Sequence, residues 1–252
     1  MFIKNIAIGL MLLSLAGCVT SSGVDTQSAK EKILINTENY PELIVFYKEQ
    51  LKKNESEETR EKLAQTYLNS GDPDSALFTI SSLDEDSRSV SSFLVEANAQ
   101  LELGMVDEAL NTALKIYQTD KNNAEVENLL GIIYAAKKDI PQARHYFTLA
   151  RKHLYNDSKI KNNLAVLDII EGKYDQANNR LLHLYMKDQN DPLVQSNLML
   201  AMAKSGELEF MQKVLSPKYT ERQISKRYNA LRNTELQRLD VVPTEVESSN
   251  ED

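Results

Sequence analysis

The sequence contains no tryptophan and a single cysteine, Cys18, among 252 residues. One thiol forms neither an intramolecular disulfide nor a zinc–thiolate cluster, so core packing alone must hold the fold. The three histidines, His145, His153 and His183, match no HExxH or other metal-binding spacing. The glycines form no GxGxxG or phosphate-binding loop, and GxSxG is absent. We therefore expect no cofactor, no metal site and no enzymatic activity.

The chain is acidic overall. The formal net charge is −8, and no stripe of lysine and arginine offsets it. A protein that binds nucleic acid needs clustered basic residues to meet the phosphates, so nucleic acid is not an expected partner. The last residues, 241–252, combine acidic residues with serines and a proline. They are expected to form a disordered acidic tail.

The first 17 residues have the pattern of an export signal. Lys4 precedes an apolar run at residues 6–15, which is too short for a transmembrane helix of about 20 residues. Residues 15–18 read Leu-Ala-Gly-Cys and resemble the lipobox of bacterial lipoproteins. This resemblance implies that Cys18 is acylated, begins the mature chain and is held in a membrane by its acyl chains. The alternatives are an ordinary signal peptide or a buried cysteine.

Half of the glycines recur at a fixed interval. Gly71, Gly104, Gly172 and Gly206 are separated by 33, 68 and 34 residues, and 68 is twice 34. A period near 34 is typical of stacked helix–turn–helix units. Lys138 stands where the middle unit would have its glycine.

Small and bulky side chains recur in phase with these turns. Small residues at helix crossings let two backbones approach, and larger apolar residues fill the space beside them. Seven residues before each turn lie Ala64, Ala97, Gly131, Ala165 and Met199. Five residues after each turn lie Ala76, Ala109, Ala143, Ala177 and Met211. Nine residues after it lie Ile80, Ala113, Phe147, Leu181 and Leu215.

The recurring positions resemble the tetratricopeptide repeat, with the best copies at residues 130–150 and 164–184. The resemblance implies an all-α fold, a right-handed α-solenoid of helix–turn–helix repeats. Residues 57–217 are expected to hold four full repeats and a degenerate fifth. Proteins of this superfamily mostly bind other proteins and rarely catalyse reactions.

Three flanking segments complete the predicted organisation. Residues 18–29 are rich in serine and threonine and are expected to form a flexible tether that reaches at most about 40 Å. Residues 30–56 are expected to form an atypical N-terminal helical pair, as solenoid ends often do. Residues 218–240 carry an apolar stripe beside basic residues. This pattern predicts a capping helix, and the alternative is a helix that docks a partner.

The first helices of tetratricopeptide arrays line a concave groove. By resemblance, the groove positions alternate apolar residues with amides, which suit the side chains and backbone of a bound peptide. Asn128 and Asn162 share one repeat position and are expected to form a ladder along this groove. The alternative is that these residues only pack the fold. The candidates are Gln65, Leu94, Asn98, Leu101, Asn128, Ile132, Asn162, Val166, Ile169 and Leu200.

The lipobox, the repeats and residues 216–221 and 228–231 together resemble the TadD-like tight-adherence (Flp pilus) assembly lipoproteins. The resemblance implies an adaptor that aids assembly or localisation of the outer-membrane secretin. Val19 follows the lipidated position, and the absence of aspartate there favours the periplasmic face of the outer membrane. The alternatives are a type IVa pilus pilotin, or a scaffold for peptidoglycan hydrolases or outer-membrane protein insertion.

Overall fold

A computed structural model describes residues 22–84 and 88–234, and these residues form thirteen α-helices and no strand. None of the described helices has the length and apolar character needed to cross a membrane. The thirteen helices, with no strand among the described residues, confirm the predicted all-α solenoid. The helices are α1 Ser22–Asn36, α2 Tyr40–Lys53, α3 Glu57–Asn69, α4 Pro73–Ser81, α5 Val90–Glu102, α6 Val106–Thr119, α7 Ala124–Ala136, α8 Ile140–Lys152, α9 Asp157–Ile170, α10 Tyr174–Lys187, α11 Pro192–Ser205, α12 Leu208–Leu215 and α13 Glu221–Asn233.

Consecutive helices pair as hairpins, and each pair packs on the next. Five pairs, from α3–α4 to α11–α12, cover residues 57–215. The last second helix, α12, is only 8 residues long. The core consists of clusters that join one hairpin to its neighbours, as expected for a solenoid.

Every predicted turn adopts the left-handed backbone conformation. The φ angle of Lys138 is 62°, so the lysine does take the place of the missing glycine. A further turn of this kind, which was not predicted, occurs at Glu38, whose φ is 51° and which lies 33 residues before Gly71. The α1–α2 pair therefore follows the same register as the repeats. The turn residues are Glu38, Gly71, Gly104, Lys138, Gly172 and Gly206.

The predicted crossing positions are fully buried. Ala76, Ala109, Ala143, Ala177 and Met211 are all inaccessible to solvent. At the other crossing, a methyl group added to Gly131 would lie 2.5 Å from the ring of Phe147. The glycine therefore lets α7 and α8 approach closely around the large aromatic side chain.

One pair of facing positions within the hairpins changes its chemistry from repeat to repeat. In α5–α6, Thr112 Oγ1 donates to Gln100 Oε1 at 2.9 Å. In the next hairpin, the equivalent residues Tyr134 and Tyr146 stack with ring centroids 5.4 Å apart. In α9–α10, Arg180 Nε donates to Asp168 Oδ2 at 2.7 Å. In each of these three hairpins, the two facing side chains therefore form a complementary pair, which is a hydrogen bond, an aromatic stack or an ion pair.

Part of the predicted tether is helical. Residues 22–29 were expected to be flexible, but they form the first half of α1. The helix is supported by Leu34, which packs with Leu43 and Tyr47 of α2 in the first core cluster. Helical structure therefore extends into the serine- and threonine-rich segment, whose residues tolerate a helix although they do not favour it.

The C-terminal helix α13 begins with a capping box between Thr220 and Gln223. Its predicted apolar stripe is confirmed, because Ile224 and Tyr228 are buried against α11 and α12, with Leu231 packed beside them. The predicted signal peptide at 1–17, Cys18 and the predicted acidic tail at 241–252 lie outside the described residues.

Candidate functional site

The inner face of the first helices is closed through the middle of the array. Of the ten predicted groove residues, only Gln65 and Leu101 are partly exposed. Four of the buried apolar members, Leu94, Ile132, Ile169 and Leu200, belong to the core clusters. The buried members are Leu94, Asn98, Asn128, Ile132, Asn162, Val166, Ile169 and Leu200. Their binding to a peptide stays a prediction, and in this conformation other residues of the chain cover these side chains.

The expected asparagine ladder exists in another register. Asn163 Nδ2 donates to Asn128 Oδ1 at 3.0 Å, and Asn197 Nδ2 donates to Asn162 Oδ1 at 3.0 Å. Each bond joins one first helix to the next. The donor lies one position later in its repeat than the acceptor does, because the two residues are 35 residues apart and the repeat period is 34. Buried amides must find partners, and these do so within the chain. The ladder therefore ties α7, α9 and α11 together.

The N-terminal part of the inner face is more open. Gln65 Nε2 donates to Asn69 Oδ1 at 2.6 Å, while its buried Oε1 has no hydrogen-bond partner among the described residues. Glu61, one turn earlier on α3, accepts from Ser89 Oγ at 2.7 Å and Ser92 Oγ at 2.6 Å. The side chains of Glu61 and Gln65 are both partly exposed, so this part of the inner face presents polar groups to solvent.

The exposed side of α13 is basic. Arg222 and Lys226 lie one turn apart on this exposed side. The guanidinium of Arg227 stacks over the ring of Tyr219, 4.6 Å from its centroid. The helix thus caps the array with its apolar side and presents positive charge on the other.

The three histidines lie on second helices or their ends, as predicted. His153, at the end of α8, makes a 2.8 Å contact through Nδ1 with Glu127, whose side chain is fully buried in α7. Across residues 22–84 and 88–234, no group of three potential ligands is placed to hold a metal ion.

An ion network that was not predicted from the sequence joins two repeats. Asp168 is buried in α9 and accepts from Arg144 of α8 at 2.9 Å and from Arg180 of α10 at 2.7 Å. Arg144 also bonds Glu171. Burial alone would lower the pKa of Arg144, but these carboxylates raise it above its ordinary value. The available signal was an acid at the position that Tyr67 and Tyr134 occupy in other repeats.

A family model described as anaphase-promoting complex, cyclosome, subunit 3 matches residues 36–116. No curated protein matches the chain. Among solved structures, a thermophilic TPR protein of Thermus thermophilus is 19% identical, with a TM-score of 0.62, over 71% of this chain and 98% of that one. A chain of the APC/C hetero-tetramer Cut9–Hcn1 is 16% identical, with a TM-score of 0.65, over 82% of this chain and 42% of that one.

A third structure, pilF of Pseudomonas aeruginosa, is 18% identical with a TM-score of 0.58. The match covers 80% of this chain and 96% of that one. At such identities the likeness shows the fold and not the activity. Together with the in-phase turns and crossings, it shows that this chain has the tetratricopeptide repeat fold, which typically provides a scaffold for binding other proteins.

Proposed function

We propose that this chain is a lipid-anchored adaptor on the periplasmic face of the outer membrane, where it serves assembly of a tight-adherence (Flp-type) pilus. The observation that carries this proposal is a scaffold-type repeat fold directly behind a lipobox-like sequence ending in Cys18. The partner is a segment of the secretin or of another pilus-assembly component. The adaptor aids assembly or localisation of that partner.

The physical mechanism is confinement. Acyl chains fix the array at the membrane where the secretin assembles, and each contact then forms at a raised effective concentration. Each buried methylene contributes about 0.8 kcal/mol, and a single acyl chain binds a membrane only weakly. Stable anchoring therefore needs two or more chains. No catalytic step is required of the array.

The partner engages the inner face first at its open N-terminal part. Gln65 offers a partly exposed amide side chain, and Leu101 offers a half-exposed apolar surface. The buried groove positions, including Asn128 and Asn162, hold the neighbouring first helices in register behind this contact. The basic side of α13 gives a second contact for an acidic segment of the partner.

The test is secretin multimerisation in a strain that lacks this protein. Multimers should disappear on deletion, return with the natural chain and fail to return with Cys18→Ser. Gln65→Lys should weaken the rescue, whereas Gln142→Lys, on the exposed side of α8, should rescue fully. Normal secretin multimers in the deletion strain would contradict the proposal, and loss of cell-wall hydrolase localisation instead would support the scaffold alternative.

A further inference from the structure

The N-terminal end of the array has an open stacking face. Ile33, on α1, is 61% exposed. The equivalent residues of the five following repeats are at most 4% exposed, and they are Thr66, Ala99, Ile133, Leu167 and Ala201.

In the later repeats, the preceding second helix covers this position. Ala99 lies in one core cluster with Ile80 of α4, and Leu167 lies in another with Phe147 of α8. No second helix precedes α1 among the described residues. If the mature chain begins at Cys18, only four residues stand before Ser22, too few for a covering helix. Among the described residues, this position of α1 therefore has no cover.

The corrected length of the tether brings this end close to the bilayer. A flexible segment over residues 18–29 would let the array lie about 40 Å away. Because α1 begins at Ser22, the path from Cys18 to the helix spans at most about 14 Å. Ile33 lies eleven residues further, about 17 Å along the helix. The array is thus held with α1 next to its anchor.

The net charge of the first hairpin does not oppose contact with a phospholipid surface. Residues 22–53 carry five lysines and five acidic residues, so their net charge is zero, whereas the whole chain carries −8. An anionic bilayer repels the acidic repeats more than this neutral pair. Lys30 and Lys32 are exposed on α1, and they flank Glu31, which makes a partly buried contact with Tyr47.

We infer that α1 rests on the membrane surface, with the open stacking face around Ile33 against phospholipid. This inference rests on the lipid anchor at Cys18 proposed above. The bilayer takes the place of the missing preceding repeat, and the array extends away from it. The partner-binding α13 end is then presented to the periplasm.

Nitroxide labels at single introduced cysteines test this contact in the full lipidated chain. Acylation consumes the thiol of Cys18, so Ile33→Cys provides the only reactive thiol. In vesicles of phosphatidylethanolamine with a minority of phosphatidylglycerol, the label at position 33 should collide more with oxygen and less with a water-soluble nickel chelate. The matched control is Phe78→Cys, because Phe78 is 80% exposed on α4, one repeat further along. Its label should remain accessible to the chelate.

Each outcome bears on one claim. Equal chelate access at positions 33 and 78 would overturn the membrane contact while leaving the anchor intact. Strong spin–spin coupling between labels at position 33 would overturn it in favour of a second copy stacked on α1. Failure of the natural chain to float with vesicles would instead contradict the lipid anchor itself. Both substituted side chains are exposed, so the melting temperature should stay unchanged.

Discussion

At the C-terminal end of the array, α13 lies across α11 and α12 and buries Ile224 and Tyr228, whereas at the N-terminal end Ile33 of α1 stands open to solvent. Solenoid ends need polar caps, because each repeat leaves an apolar face for its neighbour. The C-terminal end meets this need with a dedicated helix whose outer side carries Arg222 and Lys226. The N-terminal end keeps the stacking face of a repeat uncovered among the described residues, and we propose that a bilayer covers it.

The largest expected effect contrasts the two ends directly. Ile224→Ala removes a fully buried side chain and should lower the free energy of unfolding by about 2–5 kcal/mol. Ile33→Ala removes an exposed one and should change it by less than about 0.5 kcal/mol. Urea unfolding of both variants checks this, and comparable losses would show that α1 is covered within the chain.

A second contrast concerns the small-residue crossing. Gly131→Ala places a methyl group 2.5 Å from the Phe147 ring and should destabilise the chain by about 1–3 kcal/mol. The same repeat position holds a glutamate, Glu31, at the open end. Thermal unfolding measures the effect, and an unchanged melting temperature would discredit the close approach of α7 and α8.

The contact of Glu31 predicts a pH effect specific to the open end. Tyr47 donates its hydroxyl proton to Glu31 at 2.8 Å, and burial first, then this bond and the nearby charge, raise the pKa of Tyr47 above its ordinary 10.0. A tyrosine whose pKa is raised by folding stabilises the protein below pH 10, and this contribution is lost as the pH rises further.

Glu31→Ala should therefore cost about 1–2 kcal/mol at neutral pH. It should also reduce the alkaline loss of stability, because the remaining elevation of the Tyr47 pKa comes from burial and the charge of Glu58 only. Urea unfolding below and above pH 10 tests this, with Glu42→Ala, at an exposed site on α2, as the control. An identical alkaline loss in the Glu31 variant and the natural chain would contradict the assignment.

The smallest effects concern the turns. Lys138→Gly relieves a left-handed backbone at 62° and should stabilise the array by about 1 kcal/mol. Glu38→Gly should do the same at the open end, where φ is 51°. Differential scanning calorimetry should show a higher melting temperature for both. A gain at Lys138 alone would mean that the first hairpin does not share the register of the others.

The repeat register could be predicted because it depends on local residue types. Gly71 and its equivalents signal left-handed turns, and Ala143 and its equivalents signal close crossings. Glu38 carries no such signal, since glutamate is not a turn residue, so the register of the first hairpin was missed. The helical start at Ser22 was also missed, because its stability depends on Leu34 packing against α2.

The closure of the inner face could not be predicted from the sequence. The repeat pattern identifies which side of α7 carries Asn128 and Ile132, but not the distance to α5 and α9. That distance depends on the curvature of the array, which many side-chain sizes determine together. Asp168 illustrates the same limit, because its partners Arg144 and Arg180 belong to two other helices.

Membrane fractionation of the natural chain and Cys18→Ser, expressed at equal levels, tests the anchored adaptor most directly. The account predicts that the natural chain sediments with outer membranes and carries acyl chains detectable by mass spectrometry. The Cys18→Ser chain should retain its helical content and appear in the soluble fraction. An unchanged membrane fraction for Cys18→Ser, or an unmodified Cys18 in the natural chain, would contradict the account.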